Sequence, residues 1–317
     1  YSWLAMACAL RGDVEGAKTA IALSSEAQAL PARSISQHDT DGADASKSHA
    51  LFNKLKSREV ARTCALVEAA IAKPTPPVAI TKVLDPTMAK PPPGLLFLPE
   101  PWSPAPSQDL PRATVALRKA FPRTTVQGRS VNLEVCMGGG EWLVDRATAD
   151  PDSLWLGIEI RVERSVDGWA VASLAGIDNL SVICGDARAV VKTNLPHASI
   201  NQAFINFPEP PVWMGSPNHL VDEDFLISLR PCLAAGAKVW MASDDLAYTR
   251  TVAATFKRLE MRGLYRRATR EYQGFTNTKP EVYGAADSYF DKLWRNGNKS
   301  ARYFVCFEAA GTPTSSA

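Results

Sequence analysis

The chain has 317 residues, enough for one large α/β domain plus a further module, because single cores stop growing at about 250–300 residues. Apolar residues make up 46% and charged residues 21%, and no apolar run reaches the roughly 18 residues of a membrane-spanning helix, so we do not expect an integral membrane protein. The formal charge of +2 excludes a globally basic protein that binds mainly through phosphates, so any contact with RNA must be local.

The cysteines predict buried thiols in a reducing compartment rather than a metal site. They lie far apart, and no histidine stands near them at the spacing of a zinc site. The first residue is Tyr1 rather than a methionine, so we expect a chain that is processed or incomplete. If a presequence was removed, the predicted location is the matrix of a mitochondrion or another organelle, and otherwise the cytoplasm. The six cysteines are Cys8, Cys64, Cys136, Cys184, Cys232 and Cys306.

Segment 1–30 predicts a helical hairpin. Apolar residues recur at helical spacing on both sides of Arg11-Gly12-Asp13, which is typical of a tight turn between two helices. The stretch resembles one pentatricopeptide-type repeat, but such repeats need about three or more neighbours to bury their faces. Because the sequence offers one copy, an isolated hairpin is the favoured interpretation.

Segment 31–114 is predicted to hold a linker, a helix and a strap. Residues from Pro31 to Lys47 are rich in Ser, Asp, Gln and Gly, which cannot bury enough surface to fold alone. Residues 48–72 recover helical periodicity. The prolines from Pro74 to Pro106 then favour extended chain, so we expect a strap that lies over another surface.

Segment 115–310 is predicted to be an α/β domain, followed by a disordered tail at 311–317. From Val131, short β-rich runs alternate with helical runs, the pattern of a parallel sheet with crossover helices. The fold class is therefore α/β with a doubly wound, mostly parallel sheet, which binds ligands at the carboxyl ends of its strands. The predicted strands are Val131–Val135, Leu154–Glu159, Leu180–Cys184, Ile200–Asn206, Ala237–Ala242 and Ala301–Phe307, and the main predicted helices are Glu141–Ala149, Arg161–Leu174, Asp222–Leu233 and Leu246–Leu259.

Three positions at the predicted strand ends indicate a nucleoside site. Gly138, Gly139 and Gly140 lie between a strand and a helix, so their backbone can approach a ligand and offer free N–H groups. Glu159 ends the next strand about 20 residues later, where a carboxylate can bind both ribose hydroxyls. Asp186 follows a third strand and can accept a hydrogen bond from an adenine amine. Taken singly, a turn and solvated or helix-capping acids are the favoured interpretations.

Five segments, EVCMGGGEWLVDRA, LWLGIEIRVERSV, NLSVICGDARAVV, INFPEP and WMASDDLAYTRTV, occur in an order and at intervals that resemble the bacterial-type tRNA (guanine-N7)-methyltransferase family. SYFDKLWRNGNKSARYFVCFE looks like that family's C-terminal element and final strand. The resemblance covers roughly residues 115–308, and GIEIRVERS, INFPEP and the Ser-Asp-x-x-x-Tyr element at Ser243, Asp244 and Tyr248 are specific to the family. It implies the class I S-adenosylmethionine-dependent methyltransferase fold.

The resemblance also implies the roles of individual residues. Glu209 falls on the family's catalytic aspartate and Asp244 acts beside it, while His219, Ser288 and Asp291 bind the substrate. Guanine N7 has an available lone pair, so methyl transfer needs alignment more than a strong base. A carboxylate can instead accept hydrogen bonds from guanine N1 and N2 and fix its orientation. The residues implied to surround S-adenosylmethionine are Glu134, Gly138, Gly140, Glu159, Ile160, Asp186, Ala187 and Asn206.

Several departures from the family pattern bear on activity. Cys136 replaces the first glycine of the loop, Glu209 replaces an aspartate, and Ser288 and Asp291 replace a threonine and a glutamate. The family's cluster of Lys, Arg and His is absent from PVWMGSPNHLVDEDF, where His219 is the one candidate cation, and each lost phosphate contact weakens RNA binding. The basic residues further along are interpreted as a solvated face: Lys257, Arg258, Arg262, Arg266, Arg267 and Arg270.

The sequence leaves three hypotheses of function open. The first is an S-adenosylmethionine-dependent RNA methyltransferase that acts on guanine N7 of tRNA or a related structured RNA, which the retained Glu159, Asp186, Asn206 and Asp244 favour. The second is a catalytically degenerate structural or assembly component of an organellar ribonucleoprotein such as a mitochondrial ribosome. Cys136, the other departures and the long N-terminal extension favour it. A small-molecule methyltransferase ranks last, because the family-specific segments lie outside the generic cofactor core.

Overall fold

The described part of the chain forms two compact units. A computed structural model describes residues 14–29, 60–61, 63–72, 93–97, 117, 120–122, 124–208, 219–268, 276–284 and 301–311. The first unit comprises Tyr1–Pro92 together with Ala170–Gly176, and the second comprises Pro93–Trp169 together with Ile177–Ala317. None of the described helices has the length and apolar character that crossing a membrane requires.

The first unit is helical in its described residues. Helix α1, Val14–Ala29, coincides with the second helix of the predicted hairpin, and helix α2 covers residues 63–71, inside the helix predicted at 48–72. The predicted turn at Arg11-Gly12-Asp13 and the predicted linker at 31–47 lie outside the described residues. The buried side chains of these two helices are those of Ala17, Ala20, Ile21, Cys64, Val67 and Ala70.

In its described residues, the second unit is organised by one eight-stranded sheet. Its strands are β1 Leu95–Phe97, β2 Val131–Val135, β3 Leu154–Glu159, β4 Leu180–Cys184, β5 Ile200–Asn206, β6 Leu233–Ser243, β7 Tyr265–Arg267 and β8 Tyr303–Ala309. They lie in the order β1-β4-β3-β2-β5-β6-β8-β7, and β8 alone runs in the opposite direction to the other strands. The predicted doubly wound, mostly parallel sheet is therefore confirmed.

Aspartates fix where three of the helices around the sheet begin. In chain order, the described helices around the sheet are α3 Glu141–Ala149, α4 Val162–Ala175, α5 Ala187–Thr193, α6 Glu223–Leu229 and α7 Leu246–Met261. The side chains of Asp186, Asp222 and Asp245 accept hydrogen bonds from first-turn backbone N–H groups of α5, α6 and α7. Each cap satisfies a donor that the helix leaves unpaired and places negative charge at the positive end of its dipole.

The two faces of the sheet are packed differently. On one face, aliphatic side chains of β2, β3, β5 and β6 form a continuous core with α5, α6 and α7. On the other, the Trp142 ring of α3 lies 6.0 Å from that of Trp155, 4.9 Å from Phe204 and 5.7 Å from Tyr283 between centroids. The Trp142 indole also donates to the carbonyl of Tyr283 at 3.1 Å. This aromatic layer holds α3, and with it the loop that precedes α3.

Two edge strands were not predicted from the sequence. β1 lies inside the predicted strap: residues 95–97 are extended, and they pair with β4 at the edge of the sheet, where Val182 N donates to the carbonyl of Gly94 at 2.8 Å. An edge strand tolerates neighbouring prolines because only one of its sides pairs. β7 has three residues, too few to show a periodic pattern.

The structure corrects the predicted ends of one helix and one strand and the predicted burial of one cysteine. The helix predicted at Asp222–Leu233 ends at Leu229, because Pro231 lies in a 3₁₀ turn, Arg230–Cys232, and Leu233 already begins β6. β8 covers Tyr303–Ala309 rather than Ala301–Phe307. Cys136 is half-buried rather than buried, whereas Cys64, Cys184, Cys232 and Cys306 are buried as predicted and Cys8 lies outside the described residues.

We expect Asp245→Ala to lower the free energy of unfolding by about 1 kcal/mol. The Asp245 carboxylate accepts a hydrogen bond from Tyr248 N at 2.9 Å, and alanine leaves that donor without its cap. Urea unfolding followed by circular dichroism measures the change. Asp152→Ala, at an exposed aspartate in the turn before β3, is the matched control and should leave stability unchanged. Equal stability of the two variants would contradict the capping role.

Candidate functional site

Hydrogen bonds connect the carboxyl ends of β4, β3, β2 and β5 into one continuous site. Asn206, the last residue of β5, donates from Nδ2 to Oε1 of Glu134 in β2 at 2.8 Å. The loop after β2 binds the Glu159 side chain at the end of β3, and Gly185 N after β4 donates to the Glu159 carbonyl at 2.9 Å. The carboxyl ends of parallel strands are where doubly wound sheets bind ligands.

The glycine loop runs from β2 into α3 with a left-handed backbone. Gly138 has a φ of 60° and Gly140 a φ of 79°, a region that glycine enters without steric cost. Cys136 has a φ of 63°, where a side chain with a Cβ is strained. Met137 turns inward from the loop onto β3, and a Cβ on Gly157 would meet its Sδ at 2.3 Å. The absence of a side chain at Gly157 therefore lets the loop approach β3 closely.

Glu159 is a buried carboxylate that binds the backbone on two sides. Its side chain accepts from Gly138 N through Oε2 and from Arg161 N through Oε1, both at 3.0 Å, and the residue is 6% exposed. The interpretation of Glu159 as a solvated loop acid is therefore wrong. An ionised carboxylate has about four acceptor positions, so two backbone donors leave capacity for a further donor such as a hydroxyl group.

Asp186 is a helix cap, which is one of the interpretations that its sequence position allowed. Its Oδ1 accepts from Arg188 N at 2.9 Å at the start of α5, and the residue is exposed at the carboxyl end of β4. Ala187 beside it is buried. Next to Glu159, Ile160 is 66% exposed and presents apolar surface to solvent. The adjacent ends of β3 and β4 thus carry the carboxylates of Glu159 and Asp186 and the exposed aliphatic side chain of Ile160. This combination suits the polar edge and the apolar faces of a nucleoside.

Glu134, in β2 shortly before the glycine loop, is fully buried. It is 1% exposed and its partner Asn206 is 5% exposed. Burial raises the pKa of Glu134 well above its ordinary value, against the lowering effect of the hydrogen bond from Asn206, and the nearby charges of Glu141 and Glu159 raise it further. The sequence predicted both as cofactor-binding residues, but it gave no signal that they contact each other across 72 residues of chain.

Beyond β5, the strand end of β6 carries a second group of polar residues. Asp244 is half-buried there, between Ser243 and the cap Asp245, and Ser243 Oγ accepts from Asp245 N at 3.1 Å. Tyr248 is buried, and its hydroxyl accepts from Val221 N at 3.0 Å. The tyrosine of the Ser-Asp-x-x-x-Tyr element therefore anchors the chain before α6 rather than facing a ligand.

His219 is an exposed residue whose ring also contacts the protein, and its predicted substrate contact stays a prediction. Its ring stacks on Tyr248 with centroids 4.2 Å apart, and its carbonyl accepts from Arg188 at 2.8 Å. Arg188 also forms an ion pair with Asp222, and the hydrogen bonds that Arg188 donates to the Asp222 carboxylate raise the pKa of Arg188. Sequence reasoning missed Arg188 and Asp222 as determinants of this region, because nothing in their spacing indicates that α5 and α6 meet.

Other predicted site residues lie outside the described part of the chain: Glu209, Ser288 and Asp291. The basic residues interpreted as a solvated face are mostly paired with acids. Arg258 and Arg262 bind Glu223, and Arg266 binds Glu308. Arg267 pairs with Glu260 at 3.5 Å. Within the described ranges, no group of three or more His, Cys, Asp and Glu side chains is arranged to hold a metal ion.

The chain is similar in sequence to bacterial tRNA methyltransferases. The tRNA (guanine-N(7)-)-methyltransferase of Chlamydia pneumoniae is 28% identical over 183 residues, which cover 57% of this chain and 78% of that enzyme. The protein of the same name from Paracoccus denitrificans is 37% identical over 142 residues, 42% of this chain and 58% of that one.

Among solved structures, the 16S rRNA methyltransferase KamB aligns with 63% of this chain and 95% of its own, at a TM-score of 0.45 and 14% identity. The 16S rRNA (adenine(1408)-N(1))-methyltransferase from Catenulisporales acidiphilia aligns with 59% of this chain and 91% of its own, at a TM-score of 0.42 and 15% identity. A variant of the latter was solved with its cosubstrate SAM.

A family model matches most of the second unit. The model is Methyltransf_4, described as "Putative methyltransferase", and it matches residues 128–299, more than half of the chain. The matched region contains β2 to β7 and every described residue of the linked strand ends from Glu134 to Asp244. The chain therefore belongs to this family of S-adenosylmethionine-dependent methyltransferases, the family of the tRNA (guanine-N7)-methyltransferases.

Proposed function

We propose that the protein is an RNA methyltransferase that transfers a methyl group from S-adenosylmethionine to guanine N7 of tRNA. The observation that carries the proposal is the buried Glu159 carboxylate, bound to the backbone of both the glycine loop and Arg161, at the centre of the linked strand ends. The names of the relatives support tRNA as the RNA and guanine N7 as the atom.

The residues of the site fit the parts of S-adenosylmethionine in order along the sheet. Asp186 would accept from the adenine amine, Ile160 would cover an adenine face, and the remaining lone pairs of Glu159 would accept from the ribose hydroxyls. The left-handed loop at Gly138 and Gly140 offers close backbone approach, with Ala187 at the start of α5 lining the adenine side. Asn206 and Glu134 would lie at the amino-acid end of the cofactor.

The substrate side of the mechanism needs orientation more than proton transfer. S-adenosylmethionine supplies an electrophilic methyl group on its sulfonium. Asp244, half-buried at the end of β6, would accept hydrogen bonds from guanine N1 and N2 together with Glu209, while Ser288 and Asp291 hold the nucleotide. Fixing N7 in line with the methyl group is the principal contribution of such residues, because alignment alone can supply much of the rate.

The second candidate function is a structural component of an organellar ribonucleoprotein, such as a mitochondrial ribosome, located in the organelle matrix. The observation that favours it is the left-handed backbone of Cys136, where the family has glycine and where a Cβ is strained. In addition, the basic cluster of the family is absent and an acidic run, Asp222 to Asp224, stands near its place. A protein of this kind would keep the fold and contact RNA or protein subunits without methylating them.

We expect S-adenosylmethionine at a hundredfold excess over its Kd to stabilise the protein by about 3 kcal/mol. Glu159→Gln should weaken cofactor binding by about ten- to hundredfold, because it removes a charged acceptor from the proposed ribose contact. Thermal shift and titration calorimetry measure both effects. Glu163→Gln is the matched control, since Glu163 is exposed and pairs with Arg161. No thermal shift with saturating cofactor would favour the structural component.

Transfer of labelled methyl from S-adenosylmethionine to bulk tRNA tests the reaction itself. Glu209→Ala should reduce transfer by on the order of 100-fold while leaving cofactor affinity unchanged, because the guanine loses an orienting acceptor. Mass spectrometry of the digested RNA identifies the methylated atom. Transfer that is unchanged in Glu209→Ala would remove this residue from the mechanism.

Cys136→Gly should raise the free energy of unfolding by about 1 kcal/mol, because glycine adopts the φ of 63° without steric cost. Cys136→Ala is the control: it removes the thiol but retains the Cβ, so we expect no gain. Denaturant unfolding compares the three proteins. If Cys136→Ala stabilises as much as Cys136→Gly, the thiol rather than the backbone is the source of the strain.

A further inference from the structure

The contact between Glu134 and Asn206 leaves two buried oxygen atoms without donors. Asn206 Nδ2 donates to Glu134 Oε1 at 2.8 Å, which uses one oxygen of the carboxyl group and one hydrogen of the amide. Among the described residues, neither Oε2 of Glu134 nor Oδ1 of Asn206 has a hydrogen-bond partner, and both atoms are buried. Leaving a buried polar atom without a partner is costly, so two such atoms on one contacting pair require an explanation.

One hydrogen atom would satisfy both oxygens. An ionised carboxylate is acceptor-only, and so is the carbonyl oxygen of an amide, so Oε2 and Oδ1 cannot bind each other as they stand. A protonated carboxyl group has one O–H donor. Placed on Oε2, that hydrogen can bind Oδ1 while Nδ2 binds Oε1, which closes a ring of two hydrogen bonds between the acid and the amide.

The surroundings of Glu134 also disfavour its charged form. The charged groups of the described chain that act on it are Glu141, in the first turn of α3, and Glu159, at the end of β3, and both are acidic. Asn206, its partner on β5, is neutral. An ionised Glu134 would be buried without a compensating cation, which is costly in a low-dielectric interior. Burial accordingly raises the pKa of Glu134 well above its ordinary value.

We propose that Glu134 carries a proton in the ligand-free protein, donated from Oε2 to Oδ1 of Asn206, and that the positive charge of the bound cofactor releases it. The second half rests on the proposed function, since it requires a cationic cofactor at this site. In that step the O–H bond of Glu134 breaks, the proton passes to solvent or buffer, and the carboxylate that forms faces the positive charge. Binding of S-adenosylmethionine is thereby coupled to the loss of one proton.

The first half predicts a pH dependence of stability in the ligand-free protein. Because the pKa of Glu134 is higher in the folded than in the unfolded protein, its stabilising contribution is complete below the unfolded value of about 4.3. It is lost as pH rises toward and through the folded value. Glu134→Gln imitates the protonated acid, since its amide can donate to Oδ1 and its carbonyl can accept from Nδ2. We expect stability of the wild type to fall relative to this variant as pH rises.

Denaturant unfolding at a series of pH values compares the wild type, Glu134→Gln and Glu281→Gln. Glu281 is an exposed glutamate in the 3₁₀ turn Glu281–Tyr283, and its variant should follow the wild-type profile. Parallel profiles for the wild type and Glu134→Gln would overturn the proposal. Infrared spectroscopy gives a second measurement: above the unfolded value of about 4.3, the wild type should keep the C=O band of one protonated carboxylic acid that Glu134→Gln lacks, and the absence of this band would equally overturn the proposal.

Calorimetric titration in buffers of different ionisation enthalpy counts the protons released when cofactor binds. We expect about one proton from the wild type, below the folded pKa of Glu134, and none from Glu134→Gln. Release with S-adenosylmethionine but not S-adenosylhomocysteine assigns the effect to the sulfonium, and release with both assigns it to their shared ammonium group. Binding of both without proton release overturns the coupling. If neither binds, the proposed function fails, and the pH profiles still test the protonated pair by themselves.

Discussion

The carboxylate of Glu159 is the contact on which the geometry of the site depends. It accepts from Gly138 N on one side and from Arg161 N on the other, so one buried group fixes the loop after β2 and the turn after β3 together. A buried carboxylate requires donors, and here the backbone supplies them. Met137 completes the arrangement by filling the space that Gly157 leaves open on β3. The position of the glycine loop is thus set from the strand beside it as well as from its own residues.

The elements that the sequence predicted best are the central strands of the sheet. β2 to β5 have the predicted bounds, because each is a β-rich run bounded by turn residues that is buried along most of its length. The spacing of Gly138 and Glu159 predicted a nucleoside site, because Gly138 lies in the loop after β2 and Glu159 is the last residue of β3. By contrast, β1 and β7 have three residues each, and tertiary pairing rather than local pattern makes them strands.

Contacts between distant residues explain most of what the sequence did not predict about the site. Nothing in the pattern around His219 indicates that its ring stacks on Tyr248, and nothing around Glu134 indicates Asn206 as its partner. The burial of Glu159 was also not predicted. An acid at a strand end is usually solvated, but here the glycine loop packs over the Glu159 side chain. Four acidic residues, Glu134, Glu159, Asp186 and Asp244, stand at these strand ends, and their carboxylates suit a cationic cofactor better than an anionic one.

The shortness of β1 and β7 has a consequence for association with other chains. In the part of the chain that the structure describes, both strands lie at the edges of the sheet, and each is three residues long. Long, exposed sheet margins act as templates on which foreign strands add, which leads to aggregation or domain swapping. Edge strands as short as β1 and β7 offer an incoming strand few main-chain hydrogen-bond partners. An incoming strand therefore finds little backbone to pair with at β1 or β7.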